Sequence, residues 1–236
     1  MLYITGDTHR RFGRVAAFCE AEKTTCDDTL VILGDAGINF FGPEKDLKLK
    51  EELSKLPITI LCIHGNHEKR PQKIKGYRKQ RFKEAVAYVE DRFPRLAFAR
   101  DGDIYKIDGF SMIAIGGAYS MDKHYRLAKN ISWWADEQPS DLIKRRVERS
   151  LAAHSWKVDL VASHTCPISK VPREVFPAGI SAASADVSTE AWLERIENRL
   201  EYSRWYAGHF HVDKDDGDMR FVSNEFLAVG IKGKDS

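Results

Sequence analysis

The sequence predicts an α/β fold organised around a parallel β-sheet. Strand-like and helix-like segments alternate over the first seventy residues. Three polar residues, Asp7, Asp35 and Asn66, each follow a predicted strand at intervals of about 30 residues, the length of one strand–helix–strand unit. Because such units cross over with a right-handed turn, their strands run parallel and end at one edge of the sheet. Functional sites of α/β proteins lie at that edge.

The N-terminal elements follow from short aliphatic runs and from helical periodicity. The predicted strands are Leu2–Thr5, Leu30–Leu33 and Ile58–Ile63. The predicted helices are Arg14–Lys23, with Val15, Phe18 and Cys19 facing inward, and Pro43–Leu56, with Leu49, Leu53 and Leu56 on its apolar stripe.

The later elements are less regular. Asp108-Gly109 is a strong turn pair and predicts a hairpin. Residues Tyr119 to Ser140 are expected to form a long loop, with Ser140 capping the next helix. The remaining predicted strands are Asp103–Ile107, Phe110–Ile115, Val158–Ala162, Arg204–Tyr206 and Met219–Val222, and the remaining helices are Asp141–Ser155 and Thr189–Leu200.

The composition is that of one large globular domain, and residues 1–236 are expected to form it, since no repeat or linker interrupts them. Hydrophobic residues make up 43% and charged residues 31%, and a formal net charge of +2 says little about partners. No apolar run could cross a bilayer, and no cleavable leader is expected. The four cysteines form no CxxC pair, which favours reduced thiols and a cytoplasmic location.

Five short motifs carry the residues with chemistry, and they lie at or soon after the ends of predicted strands. They are Asp7-Thr8-His9, Gly34-Asp35, Gly65-Asn66-His67-Glu68, Ser163-His164 and Gly208-His209-Phe210-His211. Side chains two apart in extended chain point to the same side, so each D-x-H or H-x-H pair can reach one point. Imidazole, carboxylate and amide ligands suit manganese, iron, zinc or nickel. Two carboxylates cannot neutralise two divalent ions, so such a site would attract anions such as phosphate.

The ordered set D-x-H, G-D, G-N-H-E, H and G-H-x-H resembles the calcineurin-like metallophosphoesterase superfamily over nearly the whole chain. Residues 35–40, 116–120 and 132–134 are further similar to small bacterial and prophage members. The resemblance implies a central β-sandwich of mixed sheets flanked by helices. It also implies hydrolysis of phosphomonoesters or phosphodiesters at a centre of two divalent metal ions.

The same resemblance assigns roles to individual side chains. The implied metal ligands are Asp7, His9 and His211 for one ion, Asn66, His164 and His209 for the other, and Asp35 as the bridge. The ions, manganese by preference and iron, zinc or nickel as alternatives, would supply a bound hydroxide near neutral pH. His67 would protonate the leaving oxygen or act as an electrophile on the phosphate.

One departure bears on the substrate. Ser/Thr protein phosphatases of the superfamily continue the second motif as G-D-x-x-D-R-G, whereas Ile38 and Asn39 stand at the Asp and Arg positions here. In those phosphatases the Asp orients the catalytic His and the Arg grips phosphate. His67 therefore needs another orienting group, and folded phosphoproteins are not expected as the main substrate.

Several side chains keep two interpretations. Arg126 and Arg173 are either substrate-binding phosphate clamps or surface salt-bridge residues. The basic stretch Lys69 to Lys83 is either a solvated face or a surface that steers a polyanionic substrate. The other ambiguous residues are Trp133 and Trp134 (loop plug or base-stacking pair), Cys166 (loop thiol or ligand), Glu68 (backbone cap rather than ligand), and His64, His124 and His154 (core or surface residues rather than ligands).

These patterns predict a metal-dependent phosphoesterase whose substrate is a phosphorylated small molecule, a nucleotide or a nucleic-acid end. Monoesters and diesters remain equally open, and neither a membrane nor an obligate protein partner is expected. The alternatives are a scaffold that has lost catalysis and a nucleotide sensor that binds without turnover. The scaffold is disfavoured because every expected ligand position, and His67, is filled.

Overall fold

The computed structural model describes residues 1–175 and 185–230. Within these residues, two mixed β-sheets pack face to face and helices cover both outer faces. The predicted β-sandwich flanked by helices is therefore confirmed.

Thirteen strands form the two sheets in the described part of the chain. In chain order they are β1 (Leu2–Thr5), β2 (Thr29–Ile32), β3 (Thr59–Cys62), β4 (Tyr77–Phe82), β5 (Ala85–Glu90), β6 (Leu96–Ala99), β7 (Ile104–Ile107), β8 (Phe110–Ile115), β9 (Leu160–Ser163), β10 (Arg204–Ala207), β11 (Lys214–Asp216), β12 (Met219–Phe221) and β13 (Leu227–Val229).

The larger sheet has the order β13-β1-β2-β3-β6-β5-β4, and β1, β2, β3 and β6 are parallel to one another. The smaller sheet has the order β11-β12-β10-β9-β8-β7, and β8, β9, β10 and β12 are parallel. The strands at the edges of both sheets pair antiparallel with their neighbours. Each sheet thus has a parallel centre, as the spacing of the first three motifs predicts for the larger one.

Five α-helices lie in the described residues, and none of them is long and apolar enough to cross a membrane. They are α1 (Gly13–Glu22), α2 (Pro43–Leu53), α3 (Lys123–Ala128), α4 (Asp141–Ala153) and α5 (Ser188–Glu197). Ser140 caps α4 as predicted, since its Oγ accepts a hydrogen bond from the backbone N–H of Ile143 at 3.4 Å. Helix α2 ends three residues before the predicted Leu56, which still packs against the core.

The core has three layers, and alternation along the strands sorts side chains between them. On β1, Leu2 and Ile4 point into the layer between the sheets, whereas Tyr3 packs beneath α1 and α2. The third layer lies under α4 and α5, where Trp192 and Trp205 are almost fully buried. The helices and the two sheets, with these three core layers between them, hold the parallel strand ends of both sheets in fixed positions.

The sequence patterns miss five strands and one helix. Strands β4, β5, β6, β11 and β13 are not predicted, and α3 lies inside the predicted loop of residues 119–140. Strand β4 falls in the basic stretch and forms an edge of its sheet, with Arg78, Lys79 and Arg81 exposed. Charged edge strands discourage edge-to-edge pairing, and their polar sequence hides the strand signal.

Candidate metal centre

The predicted ligands gather where the parallel strands of both sheets end. Asp7, Asp35 and Asn66 follow β1, β2 and β3 of the larger sheet, and His164 and His209 follow β9 and β10 of the smaller one. His164 joins the sheets directly, because its Nδ1 lies 2.7 Å from the carbonyl oxygen of Leu33. One site therefore draws its side chains from both halves of the sandwich.

Two glycines permit this close approach. Gly34 has a φ of +94°, and a Cβ there would lie 2.0 Å from Nδ1 of His164. At Gly65 a Cβ would lie 2.0 Å from Oδ1 of Asp35. Any larger residue at either position would displace a predicted ligand, which explains why glycine precedes both Asp35 and Asn66.

A first group of side chains could hold a metal ion. The ligand atoms of Asp7, His9 and His211 all lie within 4.8 Å of one another. The Nε2 atoms of the two histidines are 3.0 Å apart, and Asp7 Oδ1 lies 3.9 Å from His211 Nε2. Two imidazoles bound to one ion at about 2.1 Å and at a right angle would place their nitrogens about 3 Å apart. The spacing fits a shared metal ion.

A second group surrounds His164. The ligand atoms of Asp7, Asp35 and His164 also lie within 4.8 Å of one another. His164 Nε2 is 2.7 Å from Asn66 Oδ1 and 3.7 Å from Asp35 Oδ1, and the His209 ring centroid lies 5.0 Å from that of His164. The other oxygen of Asp35, Oδ2, lies 3.9 Å from His9 Nε2 of the first group. Asp35 thus faces both groups, one oxygen to each.

Hydrogen-bond direction identifies the atoms left free to bind a cation. The Leu33 carbonyl can only accept, so Nδ1 of His164 carries a proton and donates to it, which leaves Nε2 as the ring atom that a cation could bind. Asn66 donates its amide N–H to Ser120 Oγ, which donates in turn to Glu137 Oε2. Asn66 Oδ1 therefore also presents lone pairs, 2.7 Å from Nε2. Nε2 and Oδ1 are therefore close enough to bind the same cation.

Burial lowers the pKa of two predicted histidine ligands, His9 and His209, and raises that of the predicted carboxyl ligand Asp7. Burial, opposed by the Asp35 carboxylate, lowers the pKa of His9 to about 4. Burial together with neighbouring His164 lowers the pKa of His209 to about 3. Burial also raises the pKa of Asp7 to about 6, although His164 and His211 act in the opposite direction. Neutral imidazole is the form that binds metals.

Four of the predicted ligands have left-handed backbone. The φ angles of His9, Asp35, His209 and His211 are 42°, 48°, 69° and 52°. Such conformations cost about 1 kcal/mol or more for residues with a Cβ and concentrate at functional sites. Backbone hydrogen bonds hold them: the N–H of His9 donates to the Asp35 carbonyl at 2.9 Å, and that of His209 to Asp7 Oδ2 at 2.9 Å.

The sequence profile of the family described as calcineurin-like phosphoesterase matches residues 2–213 of this chain. The chain belongs to the calcineurin-like phosphoesterase family. No curated protein sequence matches it. Among solved structures, 24 chains match, including the phosphopantetheinyl hydrolase from Mycobacterium tuberculosis. That structure has a TM-score of 0.48 and 14% sequence identity, and the match covers 94% of this chain and 87% of the other.

The predicted catalytic residue of this calcineurin-like phosphoesterase, His67, lies beside the predicted ligands. Its backbone N–H donates to Asp35 Oδ1 at 2.8 Å, and its ring meets the His9 ring edge-on at a centroid distance of 5.6 Å. It lines a cleft of about 300 Å³, named the ligand cleft, together with Asp35, Asn66, His209 and His211. Burial lowers the pKa of His67, and the charges acting on it include Asp35, Arg126 and Asp122.

The two predicted phosphate-binding arginines occupy different environments. Arg126 on α3 is 3% exposed, its Nε lies 3.4 Å from Asp122 Oδ2, and its guanidinium lies over the Phe40 ring. Its Nη1 has no hydrogen-bond partner among the described residues. Arg173 is exposed and lines a pocket next to the ligand cleft.

The other residues with two interpretations lie outside the two ligand groups. Glu68 is buried and its Oε1 accepts a hydrogen bond from the Gly65 N–H at 3.1 Å, while burial raises its pKa to about 8. Burial raises the pKa of the Cys166 thiol well above 9.0. Trp134 packs against Phe40, and Trp133 donates a hydrogen bond to Glu137. His64 is buried, whereas His124 and His154 are exposed.

Sequence reasoning misses two residues that support the site in this family member. Ser120 and Glu137 are buried and connect Asn66 to the loop between β8 and α4. Glu137 Oε2 also accepts a hydrogen bond from Trp133 Nε1 at 2.7 Å. Nothing in their local sequence signals this role, because it depends on how the loop brings Ser120 to Asn66.

Proposed function

We propose that this calcineurin-like phosphoesterase hydrolyses phosphate esters at a pair of divalent metal ions. The observation that carries the proposal is the position of Asp35, which faces one ligand group with each carboxylate oxygen. The two groups lie close together, both contain Asp7 and both are faced by Asp35, which favours two ions over one.

The donor set fits such ions. Its imidazole, carboxylate and amide atoms suit manganese, with iron, zinc or nickel as alternatives. Two bound ions would polarise the phosphoryl oxygens and supply a hydroxide nucleophile at neutral pH. In the proposed arrangement Asp7, His9 and His211 would hold one ion, Asn66, His164 and His209 would hold the other, and Asp35, which faces both groups, would serve both.

His67 is proposed to deliver a proton to the leaving oxygen. It lies in the ligand cleft, where its backbone is tied to Asp35. Its pKa is low when the cleft holds no anion, because burial disfavours the imidazolium. A bound phosphate would favour the charged ring, so the proton would be present when the ester is bound.

Arg126 and Arg173 are proposed to bind the substrate. Arg126 is the stronger candidate, because its buried guanidinium has an unpartnered N–H and its charge acts on His67. Guanidinium pairs with phosphate through two parallel hydrogen bonds. Arg173 would contact the part of the substrate that leaves the cleft.

Residues 1–236 are proposed to act as one unit, because the candidate ligands run from Asp7 to His211 and come from both sheets. The substrate is proposed to be a phosphorylated small molecule, a nucleotide or a nucleic-acid end, as a monoester or a diester.

Hydrolysis of paired chromogenic phosphate mono- and diesters by manganese-reconstituted protein tests the proposal. We expect turnover by wild type and a loss of about 100-fold or more in Asp35→Asn, since it removes the carboxylate that faces both ligand groups. His154→Gln is the matched control, because this exposed histidine lies at the end of α4. Metal binding without cleavage of either ester would contradict the proposal and favour a sensor or scaffold.

A further inference from the structure

A second pocket opens directly beside the ligand cleft. Its volume is about 380 Å³, and it shares Met121, His209 and Phe210 with the cleft. An ester whose phosphate lies against the candidate ligands therefore has room for its organic group in this pocket. A pocket of this size matches those that bind small organic ligands.

The walls of the pocket are mainly apolar. Tyr119, Ile168, Val171 and Val187 line it, together with the ring of Phe210. Among its described lining residues, Arg173 carries the only positive side-chain charge, against the acidic side chains of Asp186 and Glu190. The lining that the structure describes thus lacks the run of cations that a chain of phosphates requires.

One lining residue offers a hydrogen-bond acceptor. Glu190 is 6% exposed, and its Oε1 accepts a hydrogen bond from Thr165 Oγ1 at 2.8 Å. Its Oε2 has no hydrogen-bond partner among the described residues and is closed to solvent, so it meets a ligand in the pocket only if the Glu190 side chain rotates. Leaving a buried oxygen unpaired is unfavourable, so an N–H or O–H of a bound ligand would be favoured there.

We propose that this pocket binds the organic group of the substrate, and that this group is uncharged and mainly apolar, with an N–H or O–H that can reach Glu190. The inference rests on the proposed function, because the pocket would hold the leaving group of the ester whose hydrolysis is proposed. Water would add its oxygen to phosphorus, the P–O bond to the organic group would break, and the leaving oxygen would take a proton to give the free alcohol. The substrate class is then an organic phosphate ester rather than a nucleic-acid strand.

Two alkyl esters test the apolar part. Ethyl and hexyl phosphate have leaving groups of nearly equal basicity, so their difference reports burial of four methylene groups. Each fully buried methylene is worth about fourfold in binding, so we expect kcat/KM for hexyl phosphate to exceed that for ethyl phosphate at least tenfold. The methyl diesters of both alcohols are measured in parallel, so that a preference for diesters does not hide the result.

A pocket-filling variant locates the effect. Val187 is 39% exposed and lines the pocket, so Val187→Phe should fold and should reduce the hexyl-to-ethyl ratio to about threefold or less. Leu142→Phe, at a 58% exposed position on α4, is the matched control and should keep the wild-type ratio. Dissociation constants of hexyl- and ethylphosphonate, which are not hydrolysed, should differ in the same direction.

A second pair of esters tests the acceptor. Wild type should prefer 2-(4-hydroxyphenyl)ethyl phosphate to 2-phenylethyl phosphate by about fivefold, and Glu190→Met should abolish that preference. An unchanged preference in Glu190→Met would overturn the role of Glu190. Equal kcat/KM for hexyl and ethyl esters, with both cleaved, would overturn the inference alone. Cleavage of none of these esters would overturn the proposed function as well.

Discussion

The burial of Asp7 opposes the stability of the metal-free protein. This carboxyl is 1% exposed, and burial raises its pKa from the usual 3.8 to about 6. At neutral pH the folded protein must therefore hold an ionised carboxylate in an unfavourable place. Asp7→Asn removes that charge and should stabilise the metal-free fold while weakening the first metal position.

The size of the effect follows from the pKa. Each pKa unit is worth about 1.36 kcal/mol, so a rise from 3.8 to about 6 costs about 3 kcal/mol once the carboxyl is ionised. Asparagine keeps one acceptor for the backbone N–H of His209 but loses the other, which offsets about 1 kcal/mol. The net gain should be about 2 kcal/mol, or roughly 4–8 °C in Tm for a chain of this size.

The gain should depend on pH in a defined direction. Between about pH 4 and pH 6 the folded state binds more protons at Asp7 than the unfolded state does, so raising the pH destabilises wild type. The charge-dependent gain from Asp7→Asn should be about 1 kcal/mol at pH 4.5 and about 3 kcal/mol at pH 7.5, each before the lost hydrogen bond is counted.

Urea denaturation of the EDTA-treated proteins at both pH values measures this difference. Asp27→Asn is the control, because this exposed aspartate undergoes the same chemical change at the surface. Added manganese should raise the stability of wild type, through preferential binding to the folded state, and should raise that of Asp7→Asn much less. If metal-free Asp7→Asn is less stable than wild type at pH 7.5, the electrostatic reasoning about Asp7 is wrong.

Three further changes follow from the geometry. Gly34→Ala should abolish metal binding, because its Cβ would lie 2.0 Å from Nδ1 of His164. Gly42→Ala is the control, since Gly42 has the same φ of +94° and nothing lies within 4 Å of the added Cβ. Elemental analysis measures the bound metal, and equal loss in both variants would point to backbone strain alone. Asp101→Asn should lower the free energy of unfolding by about 3 kcal/mol, because it removes the carboxylate 2.7 Å from the buried Arg70 guanidinium and leaves that charge only Asp136, at 3.8 Å, as an ion-pair partner among the described residues. An unchanged urea midpoint would refute this. Glu137→Gln should weaken metal binding at the group around His164 about tenfold without unfolding the protein, because it loosens the hydrogen-bonded chain from Glu137 through Ser120 to the predicted ligand Asn66. Competitive metal titration measures this affinity, and an unchanged affinity would contradict the role of Glu137.

Three of the four parallel strands of the larger sheet, β1, β2 and β3, are predicted, because they are buried on both faces and form short apolar runs. β1 and β2 are uninterrupted apolar or β-branched runs, and the hairpin of β7 and β8 is marked by an unambiguous turn. The edge strands β4 and β11 are not predictable, since their sequences Tyr-Arg-Lys-Gln-Arg-Phe and Lys-Asp-Asp resemble exposed loop. Tertiary pairing, rather than local preference, makes them strands.

The candidate site divides in a similar way. The motifs identify side chains with metal-binding chemistry because they follow strand ends, but they do not reveal how the two sheets approach each other. That approach depends on the contact between His164 and Leu33 and on a glycine with φ of +94° at position 34. The network of Ser120 and Glu137 depends on the path of a loop, for which the sequence carries no periodic signal.

The proposal that two ions share one site is tested most directly by counting them. Titration of metal-free protein with manganese, followed by calorimetry and electron paramagnetic resonance, reports both the number of ions per chain and their mutual coupling. We predict two ions per chain with a spin-coupled signal, and loss of the coupling in Asp35→Asn, since Asp35 faces both ligand groups. One ion per chain at full ester hydrolysis, or two uncoupled ions in wild type, would contradict the shared two-metal centre.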